Sequence, residues 1–190
     1  MKKCVSAYAA ILVLVISGCY STNSIKSSDL KAYEVKNIID ETRQGDFVFR
    51  LVSEKEQYKK GEDVRMYGEI EYTGEKDEIT IHHSSSAILF QLTEEIRAYD
   101  IDYGVKDIGV STTLKQGEPY REEYEKMAIY SADDPNDYVR FIEDFLERDG
   151  FPLGYYVVNG QTDFSVASDQ GVEDEERVNM DAAIDFKVAE

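Results

Sequence analysis

From residue 47 onward, apolar and polar positions alternate with a period of two. Phe47, Phe49 and Leu51 alternate with Val48, Arg50 and Val52. After a turn at Tyr58-Lys59-Lys60-Gly61-Glu62, the residues Val64, Met66, Gly68, Ile70 and Tyr72 alternate with Arg65, Tyr67, Glu69 and Glu71. Alternation of this kind places every second side chain on one face and predicts strands with one buried side. Thr73-Gly74-Glu75-Lys76 closes this unit, and Ile79 and Ile81 open the next strand. The apolar run 87–92, interrupted only by Gln91, predicts a strand buried on both faces. Shorter alternations follow around Ile101 and Tyr103, Thr112 and Leu114, and Tyr120 and Tyr124, with a turn at Lys115-Gln116-Gly117-Glu118. Asn159-Gly160 lies between the apolar stretch 155–158 and Thr162, Phe164 and Val166. It predicts a two-residue type I′ hairpin, because both residues tolerate positive φ. Met180, Ala182, Ile184, Phe186 and Val188 predict a final strand.

One segment has helical spacing instead. Tyr138, Phe141, Ile142 and Phe145, widened by Val139 and Leu146, share one face of a helix predicted over 135–148. Asp134 reads as its N-cap, Pro135 as its first residue and Gly150 as its stop. Short strands, regular turns and a single inserted helix predict an all-β antiparallel sandwich. Its core should hold Ile70, Leu89, Val157, Phe164 and Ile184, with Glu69, Glu71 and Asp185 exposed.

The first residues follow another rule. Lys2 and Lys3 precede the apolar run 5–16, and small residues then lead to Cys19. A charged start, a short apolar stretch and a small-residue cleavage site are the marks of an export signal. The run is too short to span a bilayer, which takes about 20 residues. Ile16-Ser17-Gly18-Cys19 resembles the lipobox of bacterial lipoproteins. The resemblance implies cleavage between Gly18 and Cys19 and diacylation of the Cys19 thiol, hence a lipid anchor on the extracytoplasmic face of a membrane. The expected domains are a signal peptide over 1–18, an acylated cysteine and tether over 19–45, and a sandwich over 46–189. Residues 30–44 fit either a short helix or an added strand. With Cys4 in the leader and Cys19 acylated, no thiol pair remains for a disulfide.

Charge narrows the partners. The chain has 39 acidic and 21 basic residues, for a net charge of −18. That excludes nucleic acid, whose phosphates demand Lys and Arg, and it leaves membrane attachment to the lipid. His82 and His83 are the only histidines, and neighbours on a strand point to opposite faces, so they do not share a metal. Ser84, Ser85 and Ser86 beside them read as a polar bend; no nucleophile elbow is present. Asp133, Asp134 and Asp137, and Glu173, Asp174, Glu175 and Glu176, lack the spacing of a calcium loop. No catalytic residue, metal or cofactor is predicted.

Tyr58-x-x-Gly61-Glu62-x-Val64, followed by an alternating strand, Leu114-x-x-Gly117-Glu118 and Tyr120-x-x-x-Tyr124, resembles the Bacillus-type intracellular proteinase inhibitor domain over about 47–124. The resemblance implies an immunoglobulin-like sandwich and carries over no reactive-loop residue. The reading that follows is a monomeric, non-enzymatic binding module of the cell envelope, with an unidentified envelope protein or ligand as partner. A proteinase inhibitor is the first alternative, and an accessory envelope hydrolase using 82–86 the second. The turns bearing Glu62, Glu118 and Asn159 are expected to meet at the end of the sandwich opposite the helix and form its contact region.

Overall fold

The computed structural model describes residues 25–166 and 176–190. In chain order its strands are β1 (Ile39–Gln44), β2 (Phe47–Ser53), β3 (Gln57–Lys59), β4 (Met66–Tyr72), β5 (Glu78–Glu94) and β6 (Tyr99–Ile101). Then come β7 (Val110–Lys115), β8 (Tyr120–Glu123), β9 (Gly154–Val166), β10 (Glu176–Val178) and β11 (Asp181–Ala189). One sheet has the order β1-β2-β4-β8 and the other β3-β11-β9-β5-β6, with β7 also on β5 and β10 on β9. Among these strands the pairs are antiparallel except β3 with β11. The chain crosses between sheets after β2, so β3 runs beside the last strand in the same direction. The neighbours β2-β4-β8 and β11-β9-β5 match the A-B-E and G-F-C sets of an immunoglobulin-like sandwich.

The core lies between the sheets. Phe49, Leu51 and Ile70 from one face meet Phe90, Tyr156, Phe164 and Phe186 from the other, all buried. In β9 and β11 the inward positions are even-numbered. In β5 they change: Ile81 and His83 face in before the serines, and Ile88, Phe90 and Leu92 after them. A bulge between His83 and Ile88 causes the switch, since His83 pairs with Phe164 while Ile88 pairs with Thr162. The serines supply the hydrogen bonds that the interrupted ladder lacks. Ser86 Oγ lies within hydrogen-bond reach of the Ile88 carbonyl and of the Glu122 carboxylate, and Glu122 also accepts the Ala87 N–H at 3.0 Å. The segment expected as a bend between strands is therefore part of one 17-residue strand. Leu89 and Val157, expected in the core, point outward and are half-buried, while Ile70, Phe164 and Ile184 are buried as expected.

The predicted hairpin at Asn159-Gly160 is absent. Both residues sit inside the 13-residue strand β9, where Asn159 pairs with Gln91 and Ala183 and Gly160 with Phe90 and Ala182. Gly160 serves close packing. A Cβ there would come within 2.9 Å of both Leu51 methyls and 3.1 Å of the Phe49 ring.

Two outward carboxylates expected in solvent are buried. Glu69 accepts from Arg50 at 3.1 Å and from Arg121 at 2.6 Å. Glu41, Arg50, Glu69 and Arg121 stand in register, so a ladder of alternating charge crosses all four strands of this sheet. Asp185 is covered by the N-terminal segment. It accepts the Lys36 and Asn37 N–H groups, each at 2.8 Å, and the Tyr155 hydroxyl at 2.6 Å. Tyr33 stacks on Tyr155 with 4.8 Å between centroids, and Leu30 is buried. Residues 30–38 thus form a strap over one sheet before β1 joins the other. The expected tether over 19–45 is corrected accordingly, since the folded domain includes β1 and the strap. A single turn, α1 (Ser27–Leu30), precedes the strap.

Helix α2 (Asn136–Glu147) lies between β8 and β9 and buries Phe141, Ile142 and Phe145. Its first helical bond runs from the Val139 N–H to the Pro135 carbonyl. Pro135 therefore holds the capping position assigned above to Asp134, whose carboxylate instead accepts the Ser131 N–H at 2.6 Å. Gly150 follows with φ +66°, against the Glu62 carbonyl, where a side chain would collide. Lys126 donates to the carbonyls of Arg148 and Gly150 and ties down this end of the helix.

Candidate ligand cleft

A cleft of about 640 Å3 opens between β6 and the start of α2. The β5–β6 connection builds one wall. Glu94 is fully buried and accepts the Ile96 and Arg97 N–H groups and the Tyr155 N–H. It also pairs with the Arg97 guanidinium at 3.0 Å, which donates on to the Leu153 carbonyl. This brace supports a turn whose Ala98 has φ +54°, a left-handed conformation that costs an L-residue about 1–2 kcal/mol. The turn delivers Tyr99 and Asp100 to the cleft.

Two tyrosines then lace β6 to the helix in opposite directions. The Tyr99 hydroxyl donates to Asp137 at 2.9 Å, and the Tyr138 hydroxyl donates to the Asp100 carbonyl at 2.7 Å. Their rings meet edge to face at 5.4 Å, and Tyr99 also packs 5.1 Å from Phe141. The Tyr99 hydroxyl holds the Asp137 carboxyl below the usual range. Burial, reinforced by Asp137, pushes the Tyr99 phenol up, and burial likewise raises Tyr138.

The opposite lip is the segment after β8. Ile129 bridges Asp102 through its N–H at 3.2 Å. The side chains of Ile129 and Tyr130 face solvent at 55% and 41% exposure, high for large apolar groups beside a concavity. Asp100, Asp102, Asp134 and Asp137 line the cleft, with no Lys or Arg among the lining residues. Pattern reading missed this site because its parts come from three separate segments; the cluster of tyrosines around an inserted helix was its only local sign.

The sites predicted from sequence are dispersed. Gly18 and Cys19 lie outside the described residues. Glu62 braces its own turn, accepting the Lys59 N–H at 2.8 Å and pairing with Lys55, whose ammonium lowers the Glu62 carboxyl. Glu118 is exposed beside Lys115 at 3.9 Å. These two turns flank opposite ends of β4, whose 7 residues span about 20 Å. The Glu62 turn touches Gly150 at the helix end. Asn159 is in mid-strand. The expected contact region, in which these residues cluster opposite the helix, is therefore overturned.

The histidines serve local bonding. His82 Nδ1 lies 2.9 Å from Ser111 Oγ; His83 bridges the Ser84 carbonyl and Thr112 Oγ1 at 2.8 and 2.9 Å. Among the described residues, no group of three His, Cys, Asp or Glu side chains is placed to hold a metal. No helix among them is long and apolar enough to cross a membrane. No family model, curated protein or solved structure matches this chain.

Proposed function

We propose that this chain is a lipid-anchored, non-enzymatic binding module of the cell envelope, with its ligand site in the cleft between β6 and α2. The observation that carries the site is the pairing of exposed Ile129 and Tyr130 with a preformed concavity braced from beneath by the buried Glu94–Arg97 pair. Ligand sites combine such apolar walls with a few fixed polar groups. The leader ending in Gly18-Cys19 supports the anchor. Two acyl chains give stable attachment where one gives only marginal binding. Replacing Cys19 with Ala should leave the protein unprocessed or release it from membranes; normal maturation with membrane retention overturns the anchor. A photo-crosslinking residue at Tyr130 should capture a partner that the same residue at Glu78, on the far part of β5, does not. Equal capture from both positions overturns the cleft.

A second reading, inhibition of a proteinase, draws support from one loop. Between β6 and β7, Lys106 is pinned to the β5 bulge. Its carbonyl accepts the Ser85 N–H at 3.0 Å and its N–H donates to Ser85 Oγ at 2.8 Å. Ile108 beyond it is 53% exposed. A held loop with an exposed apolar residue is what a substrate-like inhibitor presents. Loss of inhibition of a panel of serine and cysteine proteinases on Ile108→Asp tests it; no inhibition by the parent chain rejects it.

A further inference from the structure

We propose that the cleft between β6 and α2 receives an extended basic segment of a partner protein, seating a lysine or arginine side chain between its tyrosine and aspartate walls. The proposal rests on the cleft being the ligand site and adds the chemistry of the ligand.

Three observations select that chemistry. The first is the apolar lining: the rings of Tyr99 and Tyr138 form the wall, and Ile129 and Tyr130 the exposed lip. Such surfaces suit the methylene stem of a long cationic side chain and attract its charged head. The second is unopposed charge. Asp134 and Asp137 answer to the helix start, which contributes about half a positive charge. Asp100 and Asp102 on the facing wall have only neutral side-chain partners, the Thr93 hydroxyl at 2.9 Å and the Gln91 amide at 2.8 Å. Glu41, Glu69, Glu94, Asp144 and Asp163 each have an arginine within 4 Å. None of the four cleft aspartates does. Of the nearby cations, Arg97 is committed to Glu94 and the Leu153 carbonyl, and Arg140 acts on Asp137 from outside the lining. The third observation is separation. The aspartates come from two separate segments, β6 and the start of the helix, and no three of them are placed to hold a metal ion, which favours an organic cation. A cleft of about 640 Å3 also exceeds what one side chain needs, which favours a segment with flanking residues over a free amine.

The test titrates the full chain with three probes: the peptide Gly-Arg-Gly-Lys-Gly-Arg, its counterpart with Gln at each basic position, and spermidine. Amide shifts locate binding, and anisotropy of labelled peptide gives affinity. The basic peptide should bind and move residues 98–102 and 129–138. Asp100→Asn with Asp102→Asn should weaken it about tenfold. Glu54→Gln with Glu78→Gln, an equal charge change at exposed remote sites, should weaken it less than about twofold. Tyr130→Ala, which leaves the charge intact, should weaken it about fivefold. Equal losses from the cleft and remote pairs overturn the proposal, reducing it to attraction by net charge. Spermidine binding as tightly as the peptide overturns the partner segment. If the Gln peptide shifts the same residues equally, the cationic choice fails and the cleft survives as a ligand site. If no probe moves these residues and Tyr130 crosslinks no more than Glu78, both fail.

Discussion

Replacing Gly160 with Ala adds one methyl group at the centre of the sandwich, and its cost follows from what surrounds it. The new Cβ would lie 2.9 Å from each Leu51 methyl and 3.1 Å from the Phe49 ring. Phe49 and Leu51 are themselves 0% exposed, so neither can swing into solvent. Overpacking of this kind costs about 1–3 kcal/mol. For a domain of this size that lowers the melting temperature by roughly 2–12 °C. Leu51→Val withdraws the offending methyls, so the double variant should be less destabilised than the sum of the singles by about 1 kcal/mol. A companion change separates packing from turn geometry. Asn159→Thr suits an exposed mid-strand position and should be neutral or slightly stabilising, whereas a type I′ turn would suffer from the β-branch. Urea denaturation of the four variants measures all of this. A neutral Gly160→Ala, strictly additive costs, or a strongly destabilising Asn159→Thr would refute the placement of these residues inside β9.

Arg97→Met should cost about 3 kcal/mol in urea denaturation, because it strands the fully buried Glu94 carboxylate; a loss under about 1 kcal/mol would contradict the brace. Asp185→Ala removes the acceptor of two strap amides and the Tyr155 hydroxyl. It should cost about 3 kcal/mol and speed hydrogen exchange at Lys36 and Asn37; unchanged exchange there would contradict the strap. Burial raises the phenols of Tyr120, Tyr124, Tyr155 and Tyr156 well above their ordinary range. The native state then keeps protons that the unfolded chain gives up near pH 10, so stability is full below that pH and falls as pH rises above it. Phenolate absorbance should show these four titrating only with unfolding; all 14 tyrosines ionising together in a folded chain would refute this.

What could be read from the sequence was what depends on neighbours along the chain. The alternation around Ile70 became β4, that around Ile184 became β11, and Phe141, Ile142 and Phe145 became the buried face of α2. What escaped depends on distant partners. Nothing near Glu69 announces Arg50 and Arg121, and nothing near Asp185 announces a strap about 150 positions away. Asn159-Gly160 carries turn chemistry, yet the glycine answers to Leu51 from the facing sheet. The serine run looked like a break in a strand because a bulge and a bend begin alike. The cleft was invisible for the same reason as the carboxylates: Asp100, Ile129 and Asp137 become neighbours only after the sheets close. Tyr138 was legible only as part of the helix face, and Tyr99 and Tyr130 gave no sign that they would join it at a cleft.

The strap that ends at Asp185 also sets an order of events. Lys36 and Asp185 are 149 positions apart, and β3 likewise waits for Lys187, Val188 and Ala189 before it has a partner. Synthesis delivers the N-terminus first, so both early segments stay undocked until the final strand emerges. A nascent chain therefore lacks both of these contacts while its tail is still being made. Once closed, only six residues lie between Cys19 and Lys26, a reach of at most about 25 Å. The last segment to settle is thus the one that fixes how far Cys19 can stand from the folded domain.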